Sequence, residues 1–330
     1  MRAADVEDAA EDSYAESLLA AIIAKRFYLE NASKVDIAQE MGLSRFKVAR
    51  LLELAVNRGL VRIDITFPVA IDEELSGSLA RRYGLRHAVV VDPRQDDRGG
   101  PEPFTQLLAP PAARLVTDLL HEEDVLGLAW GRAVTAVSRA FTRLPPCSVV
   151  QLTGVDPQRP ITDESVRAVS LAASLSDGAA HPLYAPLVLP NALTSAVLRS
   201  QPTIAETLNR LGTLTTAVLA VGAWGPGLST VHDALSEPEQ RHHAELGVVA
   251  EMASLLFDAD GTPILTDLRD RMIAVDAEQL RRTPEIIAVA GGRDKARAVR
   301  AVLRSGLLTG IVTDAATARA ALAPAPGTGR

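Results

Sequence analysis

The chain is short of the residues that mark several protein classes. One cysteine, Cys147, stands in 330 residues, so no internal disulfide can form and no zinc-type cysteine spacing exists. Cys147 follows Pro145-Pro146 and has no local partner that would activate it as a nucleophile. The histidines are few and scattered; His242 and His243 are adjacent and diverge on a helix, and His242 with Glu245 makes only a weak metal pair. No uncharged apolar run reaches the ~18 residues of a membrane-spanning helix. The acidic start, Met1 to Ser13, lacks the basic-then-apolar pattern of a secretory signal. These absences point to a cytoplasmic protein with no membrane partner, and no cofactor or metal is expected.

Positive charge is also in deficit: 34 Lys and Arg face 41 Asp and Glu, a net charge of −7. That excludes non-specific coating of nucleic acid, but whole-chain charge averages over domains and DNA responds to one face. Arg45, Lys47 and Arg50 have no acidic residue among them, while Asp5, Glu7, Asp8, Glu11 and Asp12 concentrate acidity elsewhere.

What is present begins with a local motif. Leu18, Leu19, Ile22, Ile23 and Phe27 recur at helical spacing over 16–29. Ser33 is placed to cap a helix over 34–41, Gly42 to end it, and Ser44 to cap another running to about Asn57. Ile37, Ala38 and Leu43 can pack on Val48 and Leu51, with Leu52 and Ala55 completing the buried face. Ser44, Arg45, Phe46, Lys47 and Arg50 then face outward at the start of the second helix, the part that meets base edges in helix-turn-helix docking. Ser33 and Lys34 join them as expected DNA contacts. Arg can address guanine bidentately, and Lys and Ser can hold phosphates. The alternating segment 60–67 is expected as a strand of a small wing.

Beyond a linking helix over 72–83, short apolar strands alternate with helices, the pattern of a doubly wound parallel sheet covered on both faces. Strands are predicted at 88–91, 125–129, 148–152, 217–221, 286–290 and 310–313, and helices at 112–120, 134–141, 165–175 and 295–304. The Pro- and Gly-rich stretches 93–103 and 157–160 read as loops. The organisation expected is an unstructured acidic segment (1–13), a winged helix-turn-helix (14–68), a linker (69–86), an effector-binding and oligomerisation domain (87–323) and an unstructured tail (324–330).

The segment from Tyr28-Leu-Glu to Arg62-Ile resembles the N-terminal domain of the SorC family of sugar-responsive bacterial transcriptional regulators, of SorC/DeoR type. The resemblance continues in order through Leu126-Gly-Leu-Ala-Trp-Gly-Arg-Ala-Val, Gln151-Leu-Thr-Gly, Leu256-Phe-Asp-Ala-Asp-Gly, Ala288-Val-Ala-Gly-Gly-Arg-Asp-Lys-Ala-Arg-Ala and Ile311-Val-Thr-Asp. It implies a winged helix-turn-helix joined to a sugar-phosphate isomerase-like effector domain, in a homodimer or homotetramer on double-stranded operator DNA. It also implies a sugar, polyol or sugar-phosphate effector.

In an open parallel sheet ligands gather at the carboxyl ends of the strands. Gly131 and Arg132, Thr153 and Gly154, Gly222 and Trp224, and Gly291 and Gly292 sit at such ends. The strand–Gly-Gly-Arg-Asp-Lys–helix turn can offer amides and Lys295 to an anion, though it is neither a Walker A nor a dinucleotide fingerprint. Family position adds Glu251, in an otherwise apolar stretch, and Asp258 as effector contacts. Trp130 and Trp224 could wall the pocket or simply fill core. The alternative is an isomerase- or deaminase-like enzyme with Glu251 as general base, but no second acid/base partner is evident.

Overall fold

A computed structural model describes residues 3–62, 70–92, 104–155 and 164–324. The chain divides into two compact units, Met1–Phe67 and Pro68–Arg330.

The first unit holds helices α1 (Ala3–Tyr28), α2 (Lys34–Glu40) and α3 (Arg45–Asn57). Helix α1 starts well before the expected position, so the acidic segment expected to lack structure is carried in its first turns. Ser33 caps α2 in a reciprocal box with Asp36, and Ser44 caps α3 by accepting from the Lys47 amide at 3.2 Å. Gly42, at φ +64°, makes the turn between them. Ala20, Ile23 and Ala24 of α1 close a small core with Ile37, Ala38, Val48, Leu51, Leu52 and Ala55. Residues 60–62 form a bend rather than a strand, and the rest of the expected wing lies outside the described residues.

The second unit is built on an 8-stranded sheet of order β1-β2-β11-β10-β6-β3-β4-β5. Its strands are β1 (Ala70–Ile71), β2 (His87–Asp92), β3 (Val125–Leu128), β4 (Ser148–Gln151), β5 (Ala180–His181), β6 (Thr216–Ala220), β10 (Glu285–Val289) and β11 (Gly310–Asp314). All neighbours pair in parallel except β1 with β2. A second, 3-stranded antiparallel sheet comprises β7 (Gly222–Ala223), β8 (Ala250–Met252) and β9 (Leu255–Phe257). Every strand predicted for this unit is present; β1, β5 and the small sheet were not predicted.

Alternation along the central strands builds a core on each face. Leu219, Ile286, Ala288 and Ile311 pack with helices α4 (Glu73–Tyr83), α14 (Ala296–Arg304) and α15 (Ala315–Leu322). Val218, Ile287, Val289 and Val312 pack on the other side with α5 (Phe104–Leu119), α6 (Arg132–Ala140) and α7 (Glu164–Leu175). Helix α5 carries Pro110 and Pro111 inside it, so its first turns were not read from the sequence. The expected linking helix is α4, which belongs to the second unit: Asp72 and Ser76 bond β2 at Val90, and the Tyr83 hydroxyl donates to Ala321 O at 2.6 Å. Shorter helices α8 (Ala192–Arg199), α9 (Pro202–Arg210), α10 (Thr230–Asp233), α11 (Glu237–Glu245), α12 (Leu268–Arg271) and α13 (Ala277–Arg282) complete this unit. The expected loops 93–103 and 157–160, and the tail beyond Pro324, lie outside the described residues.

Candidate functional site

The strand order reverses between β3 and β6. The connection from β3 to β4 uses α6 on one face, while that from β10 to β11 uses α14 on the other. Such a switch point opens a crevice at the carboxyl ends of its strands. A cavity of about 840 Å³ lies there, lined by Gly131, Arg132, Thr153, Gly222, Glu251, Gly291, Gly292 and Lys295 among the residues singled out from the sequence. Trp130 also lines it.

Glu251 comes from β8, where it pairs with Gly222 of β7. A Cβ on Gly222 would lie 2.6 Å from Glu251 Oε2, so only glycine lets the carboxyl sit this close to the strand. Ser229 Oγ donates to Oε2 at 3.1 Å and the Ser254 amide to Oε1 at 3.3 Å. Burial pushes the carboxyl above its ordinary range, opposed by the Ser254 amide, the Ser229 hydroxyl and the charge of Lys295. A carboxyl held toward its neutral form can both donate to and accept from a hydroxyl.

Lys295 ends the short 3₁₀ turn Arg293–Lys295 and donates through Nζ to Val221 O at 2.7 Å. Burial, then the nearby Arg132, lower its pKa, while Glu251 pulls it back up. Arg132 opens α6 and bonds Gly227 O at 2.9 Å. Gly131 caps that helix without a side chain, so the first-turn amides have no capping partner from it, and Gly131, Arg132 and Ala133 line the cavity.

The Gly-Gly turn departs from expectation. Gly291 and Gly292 line the cavity, but the Gly292 amide, at φ +98°, donates to Asp314 Oδ2 at 2.7 Å. The same oxygen accepts from Thr317 Oγ1 at 2.6 Å. The protein's own carboxylate therefore occupies an amide expected to be open to an anion.

Gly154, Trp224 and Asp258 do not line the cavity. A Cβ on Gly154 would lie 2.6 Å from Ala185 O, so this glycine serves close packing. Trp224 meets His232 edge-on and His243 at a tilt and donates to Gln240 O at 3.2 Å, a packing role. Asp258 Oδ1 accepts from the amides of Asp260 (2.9 Å) and Thr262 (2.8 Å) and shapes the turn after β9. Conversely, Ser229, Asp233 and Asp314 line the cavity and were not singled out. Asp314 closes the Ile311-Val-Thr-Asp motif and N-caps α15, which was the available signal.

In the first unit Ser44, Arg45, Phe46 and Lys47 are exposed together at the start of α3, and Phe46 is 89% exposed. Ser33 is exposed and spent on the α2 cap. Lys34 Nζ sits 5.4 Å from the Phe27 ring centroid. Arg50 is exposed but turned to Glu16 of α1, at 3.4 Å, so it differs from Arg45 and Lys47. No metal-binding cluster of His, Cys, Asp or Glu occurs among the described residues, and none of their helices is long and apolar enough to cross a membrane.

The family model "Putative sugar-binding domain" matches residues 68–323. The chain is 27% identical over 321 residues to the transcriptional regulator LsrR of Klebsiella pneumoniae, covering 94% of each. It is 26% identical over 304 residues to the uncharacterized transcriptional regulator YjhU of Escherichia coli, covering 90% of this chain and 92% of that one. The crystal structure of the full-length sorbitol operon regulator SorC from Klebsiella pneumoniae superposes with a TM-score of 0.69 over 92% of this chain and 98% of that one, at 22% identity, and shares its fold. These relatives are regulators, so the isomerase or deaminase alternative is not favoured. The chain belongs to the SorC family of sugar-binding transcriptional regulators and is not an enzyme.

Proposed function

We propose that the cavity at the carboxyl ends of β3, β6 and β10 binds a sugar, polyol or sugar-phosphate effector. Binding there sets the affinity of the helix-turn-helix for double-stranded operator DNA. Glu251 faces effector hydroxyls, and Lys295, Arg132 and the open first turn of α6 face its more negative end. Ser44, Arg45, Phe46 and Lys47 contact DNA, with Arg50, Ser33 and Lys34 at the edge of that surface. The regulator works in the cytoplasm as a homodimer or homotetramer, governing genes of carbohydrate or nucleoside catabolism. An effector can change operator affinity only by binding two states of the protein unequally.

The observation that carries this reading is a buried carboxyl and a partly buried ammonium sharing one sugar-sized cavity, in a chain whose other unit exposes a capped reading helix. A thermal-shift panel of free and phosphorylated pentoses, hexoses and polyols tests it. One chemical class should raise Tm, and Glu251→Gln or Lys295→Met should abolish that rise. A panel in which no compound raises Tm contradicts the effector reading.

A further inference from the structure

Among the described residues Phe46 is the most exposed large apolar side chain, at 89%, and it stands at the second position of α3. It makes no ring contact with another described residue. At ~100° per residue it falls opposite the buried face of Val48, Leu51, Leu52 and Ala55, so the small core of this unit takes nothing from it. Arg45 and Lys47, both exposed, fall one on each flank, and Ala49 and Arg50 follow it on the same side of the helix. A single exposed hydrophobic residue is ordinary on a protein surface. Phe46 differs by its place, at the centre of the tip of the reading helix and between two cations.

We propose that Phe46 reads a thymine in the operator, its ring packing on the C5-methyl group in the major groove. A phenyl ring has no donor or acceptor to offer a phosphate or the polar edge of a base. The apolar feature of the major groove is the thymine methyl, and Phe and Ala are among the side chains that meet it. Ala49, half-buried one turn further along α3, adds a small apolar surface beside the ring. The first residues of a recognition helix are those that reach base edges, and Arg45 and Lys47 hold the flanks, where guanine and phosphate are within their chemistry. A wedge driven between base steps is the other use of an apolar side chain on DNA, but that is a minor-groove device, whereas it is the major groove that admits a helix. The assignment rests on the reading that α3 enters DNA, and it specifies a base that α3 would select there. It does not depend on the effector cavity.

The test removes the methyl group from the DNA. The full chain selects its preferred duplex from a random library, and each thymine of that duplex is replaced singly by deoxyuridine, which lacks only the C5-methyl. Wild type is expected to lose ~4-fold in affinity at one thymine per half-site, the worth of one buried methyl, and little at the others. In Phe46→Ala the same replacement should cost nothing. Phe46 carries no charge, so the variant should keep the wild-type salt slope of binding, and with the buried face of α3 untouched its Tm should not fall. A uracil penalty of equal size in wild type and Phe46→Ala overturns the proposal, as does the absence of a penalty at every thymine of a duplex that binds specifically; either result leaves the DNA-binding reading in place. A Tm lowered by several degrees would assign Phe46 to packing and overturn the proposal as well. No binding to any DNA contradicts the reading itself and this assignment with it.

Discussion

Asp314 Oδ2 accepts the Gly292 amide at 2.7 Å, joining the end of β11 to the turn that follows β10, and both residues line the cavity. A Cβ on Gly291 would stand 2.6 Å from the same oxygen, so the glycine pair and the carboxylate fit together as one device. The turn is shaped from within rather than held open for an anion.

Removing that carboxylate should be costly. Asp314→Ala leaves the part-buried Gly292 amide and the buried Thr317 hydroxyl without their acceptor and strips the cap from α15. A loss of about 2 to 3 kcal/mol is expected in denaturant unfolding, with Asp314→Asn less severe because its amide oxygen can still accept. A change within about 0.5 kcal/mol for the alanine variant would deny Asp314 this role.

Gly222→Ala should damage the cavity while the sheet survives. The added methyl must displace Glu251 or Ser229, both within 3 Å of it by the 2.6 and 2.9 Å approaches. The expected cost is about 1 to 3 kcal/mol in stability, with the effector-induced Tm rise lost. An unaltered Tm rise would show that the carboxyl position is unimportant for binding.

Two carboxyls should leave opposite marks on the pH dependence of stability. Burial raises the pKa of Glu251 above its usual 4.5, so the folded chain holds this proton more tightly than the unfolded one. Stability from this group is full below that range and declines as pH climbs toward the raised native value; Glu251→Gln should remove the decline. Glu239, bonded by Ser236 and Arg271, is lowered from 4.5 to about 2. Its contribution is present above 4.5 and disappears as pH falls toward 2, and Glu239→Gln should flatten that acid limb. Unfolding of wild type and both variants from pH 2 to 8 checks the two signs.

Arg45 and Lys47 should separate on DNA. Arg45→Ala is expected to relax operator choice, as loss of a base contact costs about 1 to 3 kcal/mol at one position. Lys47→Ala should weaken binding evenly across sequences and lower the salt slope by about 1. Equal loss on every sequence for both would make neither a specificity residue.

The parts legible in the sequence were those with a local signal. Ser33, Gly42 and Ser44 punctuate the helix-turn-helix within a few residues, and its buried face follows the helical period. The central strands are apolar runs because parallel strands are buried on both faces. The β8–β9 hairpin was hidden because its turn, Ala253-Ser254, holds positive φ of 47° and 77° without the glycine or asparagine that usually reports such a turn. Ser229 and Asp314 act through partners 22 residues away in the chain, Glu251 and Gly292 respectively, which no local pattern encodes. Gly154 and Trp224 were overread for the converse reason: glycine and tryptophan at strand ends look alike whether they pack or bind.

The central claim is that one chain couples the cavity to the reading helix. The most direct measurement is fluorescence anisotropy of labelled operator DNA titrated with the full chain at fixed moderate salt, with and without the compound that raises Tm. The account predicts sequence-specific binding whose Kd shifts when effector saturates the cavity, and no shift in Glu251→Gln. Absence of DNA binding under every condition, or one Kd with and without saturating effector, would contradict it.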